Sequence, residues 1–133
     1  MITLDQAKGA IEQAEMKAKE LGVAVSITIV DTAGTLIASH RMDGAIAISP
    51  EFSYIKAFTS ASLGIPSMGL ADYAQPGKPY FGVNTVLGGK LTPIAGGQPI
   101  MIDGKLAGGV GVGGSMDVSQ DDACATAAVS TFA

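Results

Sequence analysis

Apolar side chains recur at helical spacing over the first twenty residues. The stripe consists of Leu4, Ala7, Ile11, Ala14, Ala18 and Leu21. Thr3 and Gln6 occupy the two positions of a capping box, and Gly22 directly follows the last apolar residue. This pattern predicts an amphipathic helix between Thr3 and Gly22 with one buried face.

The next two segments are rich in β-branched residues. Val23–Val30 and Thr35–Met42 are separated by the turn sequence of residues 31–34, which predicts an antiparallel hairpin. Ser49-Pro50-Glu51 then marks the start of a second helix that ends at Gly64, and Ser67 can cap a short third one. From Gln75 to Gly97 the periodicity is lost. A long irregular connection of this kind is often functional.

The last third of the chain predicts a hairpin that leads into a helix. Asp103-Gly104 has the type I′ turn signature between the strands Pro99–Ile102 and Lys105–Gly114. The second strand is rich in glycine, so another backbone, a helix or a flat ligand can lie directly on it. Ser119 is expected to cap a terminal helix, Ser119–Thr131, whose alanines allow close contact with the sheet or with a second subunit.

The order of these elements predicts an α+β fold. We expect an antiparallel sheet of about five strands flanked by helices, in a single domain spanning residues 1–133. With 47% apolar residues the chain can build a real core.

Charge and composition narrow the set of partners. The net charge of −4 and the pI near 4.7 argue against nucleic acid or an anionic membrane surface as a partner. The N-terminus does not resemble a secretory signal and no run is apolar enough to span a bilayer, so we expect a cytoplasmic protein. Charged residues make up only 15% of the chain, and the apolar surface that remains predicts a homo-oligomer.

Arg41, Met42 and Asp43 form the first candidate ligand site. The guanidinium of Arg41 can hold a carboxylate or propionate through two hydrogen bonds, with Met42 as an apolar wall beside it. The alternative is an ion pair of Arg41 with Asp31 or Asp43 that fixes the end of the hairpin.

Four other residues carry candidate chemistry. Lys56 and Thr59 share one face of the second helix, where an ammonium and a hydroxyl could converge on an anionic ligand; the same spacing is also ordinary helix composition. His40 is the only histidine and the candidate metal ligand, although a solvent-facing strand histidine is the alternative. Phe81 in the irregular connection could cover a flat ligand or anchor the loop.

Three segments of the chain resemble the haem-binding GlcG/HbpS-like family, which includes the C-terminal domain of PduO-type proteins. They are residues 30–45, residues 56–61 with Lys-Ala-Phe-Thr, and the tail from Gly96 to Asp122 with its Gly-Val-Gly-Gly and Gln-Asp-Asp motifs. The family usually has Gly-Val-Ser-Gly where this chain has Gly111-Val112-Gly113-Gly114, so a serine hydroxyl is missing. The resemblance implies a profilin-like or PAS-like architecture, haem or a related tetrapyrrole as ligand, and dimers that assemble into larger rings or octamers.

Two functions follow from these observations. The first is a cytoplasmic small-molecule-binding protein with haem or a related tetrapyrrole as the implied ligand. The alternative is a small cofactor-free enzyme of isomerase or lyase type that acts on an organic acid or carbonyl compound. In the enzyme, Lys56 or Asp43 would be the general base and Arg41 would bind a carboxylate.

Overall fold

A computed structural model describes residues 1–133. Its helices are α1 (Leu4–Leu21), α2 (Ser49–Leu63) and α3 (Val118–Val129), and its strands are β1 (Ser26–Asp31), β2 (Leu36–Arg41), β3 (Gly97–Ile102) and β4 (Lys105–Gly113). Short 3₁₀ turns occupy Ser67–Tyr73, Val83–Thr85, Leu87–Gly89 and Ser130–Phe132. None of the helices is long and apolar enough to cross a membrane.

The four strands form one antiparallel sheet in the order β2-β1-β4-β3. The α+β class is confirmed, but the expectation of about five strands is wrong. Residues 75–96 contain turns and two 3₁₀ segments and no strand, because their glycines and prolines favour tight turns over an extended backbone.

The ends of α1 follow the sequence pattern. The Thr3 hydroxyl accepts from the Gln6 amide while the Gln6 side chain accepts from the Thr3 amide, and Gly22 closes the helix in the left-handed conformation. The predicted stripe is buried from Ala7 to Ala18, whereas Leu4 is exposed in the first turn.

The cap of α3 differs from the prediction. Asp117, not Ser119, is the capping residue, and its carboxylate accepts from the Ser119 amide at 3.0 Å. Ser119 therefore lies inside the helix, which begins one residue earlier than expected. The β3–β4 turn is confirmed, since Asp103 and Gly104 both have positive φ, at 52° and 76°.

Helices α1 and α3 cover one face of the sheet, which we call the aliphatic face. Its core is a single cluster of fifteen buried residues that combines the alanines of both helices with large strand side chains. The strand members include Ile27 and Ile29 of β1, Ile100 of β3, and Val110 and Val112 of β4.

Helix α2 covers the opposite face, which we call the glycine face. A Cβ on Gly109 or Gly111 would collide with backbone atoms of Ala57 and Ser53, and one on Gly113 would come 2.7 Å from Phe52. The sequence left three occupants of this strand open, another backbone, a helix or a flat ligand, and in the structure the occupant is a helix, α2 of the same chain. The glycine strand is therefore not available for a flat ligand or for a contact between subunits.

Hydroxyl groups replace aliphatic side chains between β1 and α2. The Ser26 and Ser49 hydroxyls lie 2.8 Å apart, and the Thr28 hydroxyl lies 2.7 Å from that of Ser53 and 2.8 Å from that of Ser39. These bonds satisfy buried polar groups that would otherwise oppose folding, and they set the position of α2 on the sheet.

Candidate functional site

A buried ion pair joins α2 to α3. The Lys56 ammonium donates to the Val112 carbonyl at 2.9 Å and to the Asp121 carboxylate at 3.2 Å. Only 2% of the Lys56 side chain and 1% of the Asp121 side chain are exposed. Asp121 also accepts from the Ser115 amide at 3.0 Å. Two opposite charges are thus held near the end of the glycine strand with almost no contact with bulk water.

Burial shifts the pKa of each group in the direction that favours its neutral form. Loss of hydration lowers the pKa of Lys56 below its usual value, and the attraction of Asp121 only partly opposes this effect. Loss of hydration likewise raises the pKa of Asp121 against the opposing influence of Lys56. Both shifts make the neutral pair, an amine beside a carboxylic acid, less unfavourable than it is between exposed side chains.

A cavity of about 190 Å³ lies over this pair, and we call it the lysine cavity. Its walls consist of Ile46, Phe52, Ile94, Gly114, Ser115, Met116 and Val118, with Lys56 and Asp121 as the charged members. Several of the apolar wall residues are also exposed at the surface, Met116 most of all. The cavity is thus a short apolar opening that ends at a buried amine and a carboxyl group.

Thr59 does not face this cavity. It is fully buried, and its hydroxyl lies 2.7 Å from the Ile55 carbonyl, 3.2 Å from the Lys90 carbonyl and 3.0 Å from the Thr92 amide that donates to it. The residue ties the segment around Lys90 to α2. Its hydroxyl is fully used by these contacts.

The residues near the end of β2 point in different directions. His40 pairs with Ile27, which belongs to the aliphatic face, and its Nδ1 lies 3.0 Å from the Glu15 carboxylate of α1. Arg41 is paired with Ser26, on the opposite face, and donates to the Ala45 carbonyl at 3.1 Å.

The other two members of the predicted cluster are also apart. Met42 packs against the aliphatic core and Asp43 is exposed. Arg41 forms no ion pair with Asp31 or Asp43, since the Asp31 carboxylate instead accepts from the amides of its own turn, Ala33 and Thr35.

A wider opening lies between α2 and the β1–β2 hairpin, and we call it the hairpin slot. It measures about 460 Å³ and is lined by Thr28, Leu36, Ser39, Pro50, Glu51, Tyr54, Ile55 and Lys90. The Tyr54 hydroxyl donates to the Gly34 carbonyl at 3.0 Å, and the Lys90 ammonium lies 5.4 Å from the centre of the Phe58 ring. The slot therefore combines apolar walls with a phenol and a cation.

Phe81 lies in the irregular connection, away from both openings. It is 65% exposed and lines a separate apolar cavity of about 300 Å³ together with Tyr80, Val83 and Leu91. Lys56 and Phe81 thus line different cavities. No group of three His, Cys, Asp or Glu side chains is placed to hold a metal ion.

Three residues of these openings were not predicted from the sequence. They are Asp121, Tyr54 and Lys90, none of which was among the candidate site residues. Asp121 is 65 residues from Lys56 along the chain, so no local spacing links the two. Only the acidic Gln-Asp-Asp motif that follows the glycine strand pointed to this position.

The fold and these openings define a small α+β protein with one four-stranded sheet, helices on both faces and cavities of the size that small molecules occupy. The chain belongs to the HbpS-like family, described as "Haem degrading protein HbpS-like", whose profile matches residues 2–130. The resemblance stated from the sequence motifs is confirmed.

Individual relatives agree with this assignment. An uncharacterized 15.0 kDa protein of Citrobacter freundii, from the dhaT-dhaS intergenic region, is 34% identical over 98% of this chain and 92% of its own length. The crystal structure of Klebsiella pneumoniae protein ORFY has a TM-score of 0.94 at 32% identity, covering 98% of this chain and 90% of that one. A PduOC:heme complex has a TM-score of 0.87 at 34% identity, covering 96% and 90%.

Proposed function

We propose that this protein binds haem or a related tetrapyrrole in the hairpin slot. Family membership and the haem complex of a relative that shares the fold support the ligand class. The observation that carries the choice of site is the slot itself, because a wide apolar wall and a cation, Lys90, line the same opening.

The lining of the slot suits a flat apolar molecule that bears carboxylates. Leu36, Pro50 and Ile55 provide apolar contact, and its volume of about 460 Å³ falls within the range of small-molecule sites. Lys90 lines the slot, and its ammonium can pair with a propionate of the ligand. Arg41 projects from the same face of β2 as Ser39, and its guanidinium has further donors beyond the bond to Ala45.

The side chains that line the slot also limit which atom could bind the haem iron. Tyrosine is one of the protein ligands of haem iron, and Tyr54 is the only residue of the slot lining with such a group. His40 is on the opposite face of β2 with its ring against Glu15, so it does not line the slot. We therefore assign Tyr54 as the iron ligand in this proposal, where the bound group would supply redox and oxygen chemistry.

Hemin titration of the purified protein tests the proposal. We expect a saturable Soret shift that exceeds the shift given by an acidic control protein. Leu36→Glu should abolish it, because it replaces an apolar wall residue by a charge and adds a second carboxylate to that of Glu51, which opposes both the ring and the propionates. Met68→Glu is the matched control, since Met68 is similarly exposed but lies outside the slot. An unchanged titration in Leu36→Glu would rule out the slot.

The iron ligand is tested separately. Tyr54→Phe should move the Soret maximum of the hemin-loaded protein, because the phenol oxygen is lost while the ring remains. His40→Ala should leave the maximum unchanged. If His40→Ala moved the Soret maximum and Tyr54→Phe did not, His40 would be the iron ligand and the haem would lie on the other face of β2.

The proposal includes a cytoplasmic homo-oligomer. Tyr80, Phe81, Val86 and Leu87 are large apolar side chains of the irregular connection and Tyr73 lies just before it, and all are about half exposed or more. A second copy packed on this surface would remove it from water. Static light scattering should give a mass above the 13.3 kDa of one chain. Phe81→Asp should lower this mass, whereas Met16→Asp, at an exposed position of α1, should not. A constant monomer mass would contradict it.

A further inference from the structure

The hydrogen-bonding capacity of Lys56 is not fully used inside the protein. Its ammonium has three donors, and the structure gives it two acceptors, Val112 and Asp121. The side chain is 98% buried, yet it lines the lysine cavity. Gly96 keeps the surroundings open, because a Cβ there would come 2.9 Å from Nζ.

We propose that the lysine cavity is a covalent binding site for a short aliphatic aldehyde or ketone, which Lys56 captures as an imine with Asp121 as its proton partner. This site is separate from the hairpin slot and does not depend on haem binding. The two openings lie on different residues of α2, with Phe52 and Lys56 in one and Pro50, Glu51, Tyr54 and Ile55 in the other.

The size and lining of the cavity define the ligand. At about 190 Å³ the cavity is smaller than most small-molecule sites, which measure roughly 300–1,000 Å³, so it suits a short molecule. Ile46, Phe52 and Ile94 suit an alkyl chain. No cationic side chain other than Lys56 lines the cavity, and the carboxylate of Asp121 disfavours an anion. A neutral carbonyl compound fits these conditions better than an organic acid.

The ion pair can supply the neutral amine that the reaction requires. An ammonium has no lone pair, so Lys56 must first lose a proton, and the Asp121 carboxylate lies 3.2 Å from Nζ to receive it. Burial lowers the pKa of Lys56 and raises the pKa of Asp121, and both shifts make the proton transfer from the ammonium to the carboxylate easier. Lysines in apolar surroundings are the ones that proteins use for imine formation.

The bonds balance without a further reactant. The Nζ lone pair attacks the carbonyl carbon and forms a C–N bond, while the carbonyl oxygen takes a proton through Asp121 and becomes a hydroxyl. The carbinolamine then expels this hydroxyl as water. Both hydrogens of the neutral amine leave with the carbonyl oxygen, and the product is an imine at Lys56 plus one water.

Reductive trapping with propanal tests the proposal. The full chain is incubated with propanal and sodium cyanoborohydride at neutral pH, and peptide mapping by mass spectrometry follows propylation at each lysine. Lys78 is exposed and is the internal reference. A lowered pKa increases the neutral fraction of a lysine, and burial lowers the pKa of Lys56, so we expect Lys56 to be modified faster than Lys78 although it is the more buried of the two. An unmodified Lys56 in protein whose Lys78 is propylated would overturn the proposal.

Two variants separate the cavity from nonspecific labelling. Val118→Trp places a large ring at the partly exposed rim and should slow the modification of Lys56 at least about tenfold, leaving Lys78 unchanged. An equal rate in this variant would also overturn the proposal, since propanal would then reach Lys56 by another route. Lys56→Arg keeps a cation beside Asp121. In this variant the fast propylation at position 56 should be lost, and Lys78 should be modified as before.

Discussion

The two faces of the sheet are built by different physical means. The aliphatic face stabilises the fold through large side chains, with Ile27, Ile29 and Ile100 packed against the alanines of α1 and α3. The glycine face has few such side chains. Its cluster of buried apolar residues is limited to Val30, Ala57 and Ala61, and close backbone approach and buried hydroxyl bonds hold α2 in place.

This difference explains where the openings are found. Both the hairpin slot and the lysine cavity are lined by side chains of α2. A helix whose backbone rests directly on glycine cannot shift without losing contact, so the side chains along its two edges are held at fixed positions. The aliphatic face contributes stability, and the glycine face positions the side chains that line the two openings.

The largest expected effect comes from filling the glycine face. Gly111→Val places a branched side chain where even a Cβ would collide with the backbone of Ser53 and Ala57, and rigid backbone cannot give way. We expect the native fold to be lost, which circular dichroism and thermal denaturation would show. Gly9→Ala is the control in α1, where no atom lies within 4 Å of the added Cβ; it should stabilise the protein by about 1 kcal/mol. A native melting curve for Gly111→Val would contradict the close packing of α2.

A cavity on the aliphatic face should have a smaller effect. Ile29 is completely buried in the main cluster, so Ile29→Ala should lower the free energy of unfolding by about 3 kcal/mol through lost apolar contact and an unfilled cavity. Urea denaturation measures this value. Leu4→Ala removes a side chain that is 56% exposed and should cost less than about 1 kcal/mol. Equal losses for the two variants would mean that Ile29 is not in the core.

Removing one buried hydroxyl should cost less again. Thr28→Val keeps the shape of the side chain but deprives Ser39 and Ser53 of their shared partner. We expect a loss of about 1 kcal/mol in urea denaturation, because two hydrogen bonds are lost while the Ser53 hydroxyl keeps its bond to the Pro50 carbonyl. Thr28→Ser, which retains the hydroxyl, should recover most of the loss apart from the missing methyl group. A fully stable Thr28→Val protein would show that these hydroxyls are not needed on the glycine face.

Local patterns predicted most of the secondary structure. The capping box at Thr3, the turn at Asp103-Gly104 and the helix start at Pro50 each depend on residues that are neighbours in the chain. The expected number of about five strands was wrong, whereas the irregular connection from Gln75 onward was expected and contains no strand before Gly97.

The openings could not be predicted in the same way. Lys56 was singled out from its helix, but its partner Asp121 becomes a neighbour only when β4 carries the chain from the glycine strand into α3. His40 and Arg41 point to opposite faces because side chains alternate along a strand, which is a local property. Which of those faces would hold an opening depends on α2, whose position is decided by glycines about fifty residues further along the chain.

The smallest expected effect concerns Cys124, the buried thiol that belongs to the aliphatic face. Burial is the main cause that raises the pKa of Cys124 to about 11, from a usual value of 9.0, so its thiolate fraction at pH 8 is about a hundredfold below that of a free cysteine. We expect the native protein to react with a thiol reagent such as Ellman's reagent at least about a hundredfold more slowly than the urea-unfolded chain. Thr126→Cys in a Cys124→Ala background puts the thiol at an exposed position of the same helix and should react at the rate of a free cysteine. Rapid labelling of native Cys124 would show that reagents reach the aliphatic face. The proposed difference between the two faces would then be wrong, because only Lys56 on the glycine face is expected to be both buried and reactive.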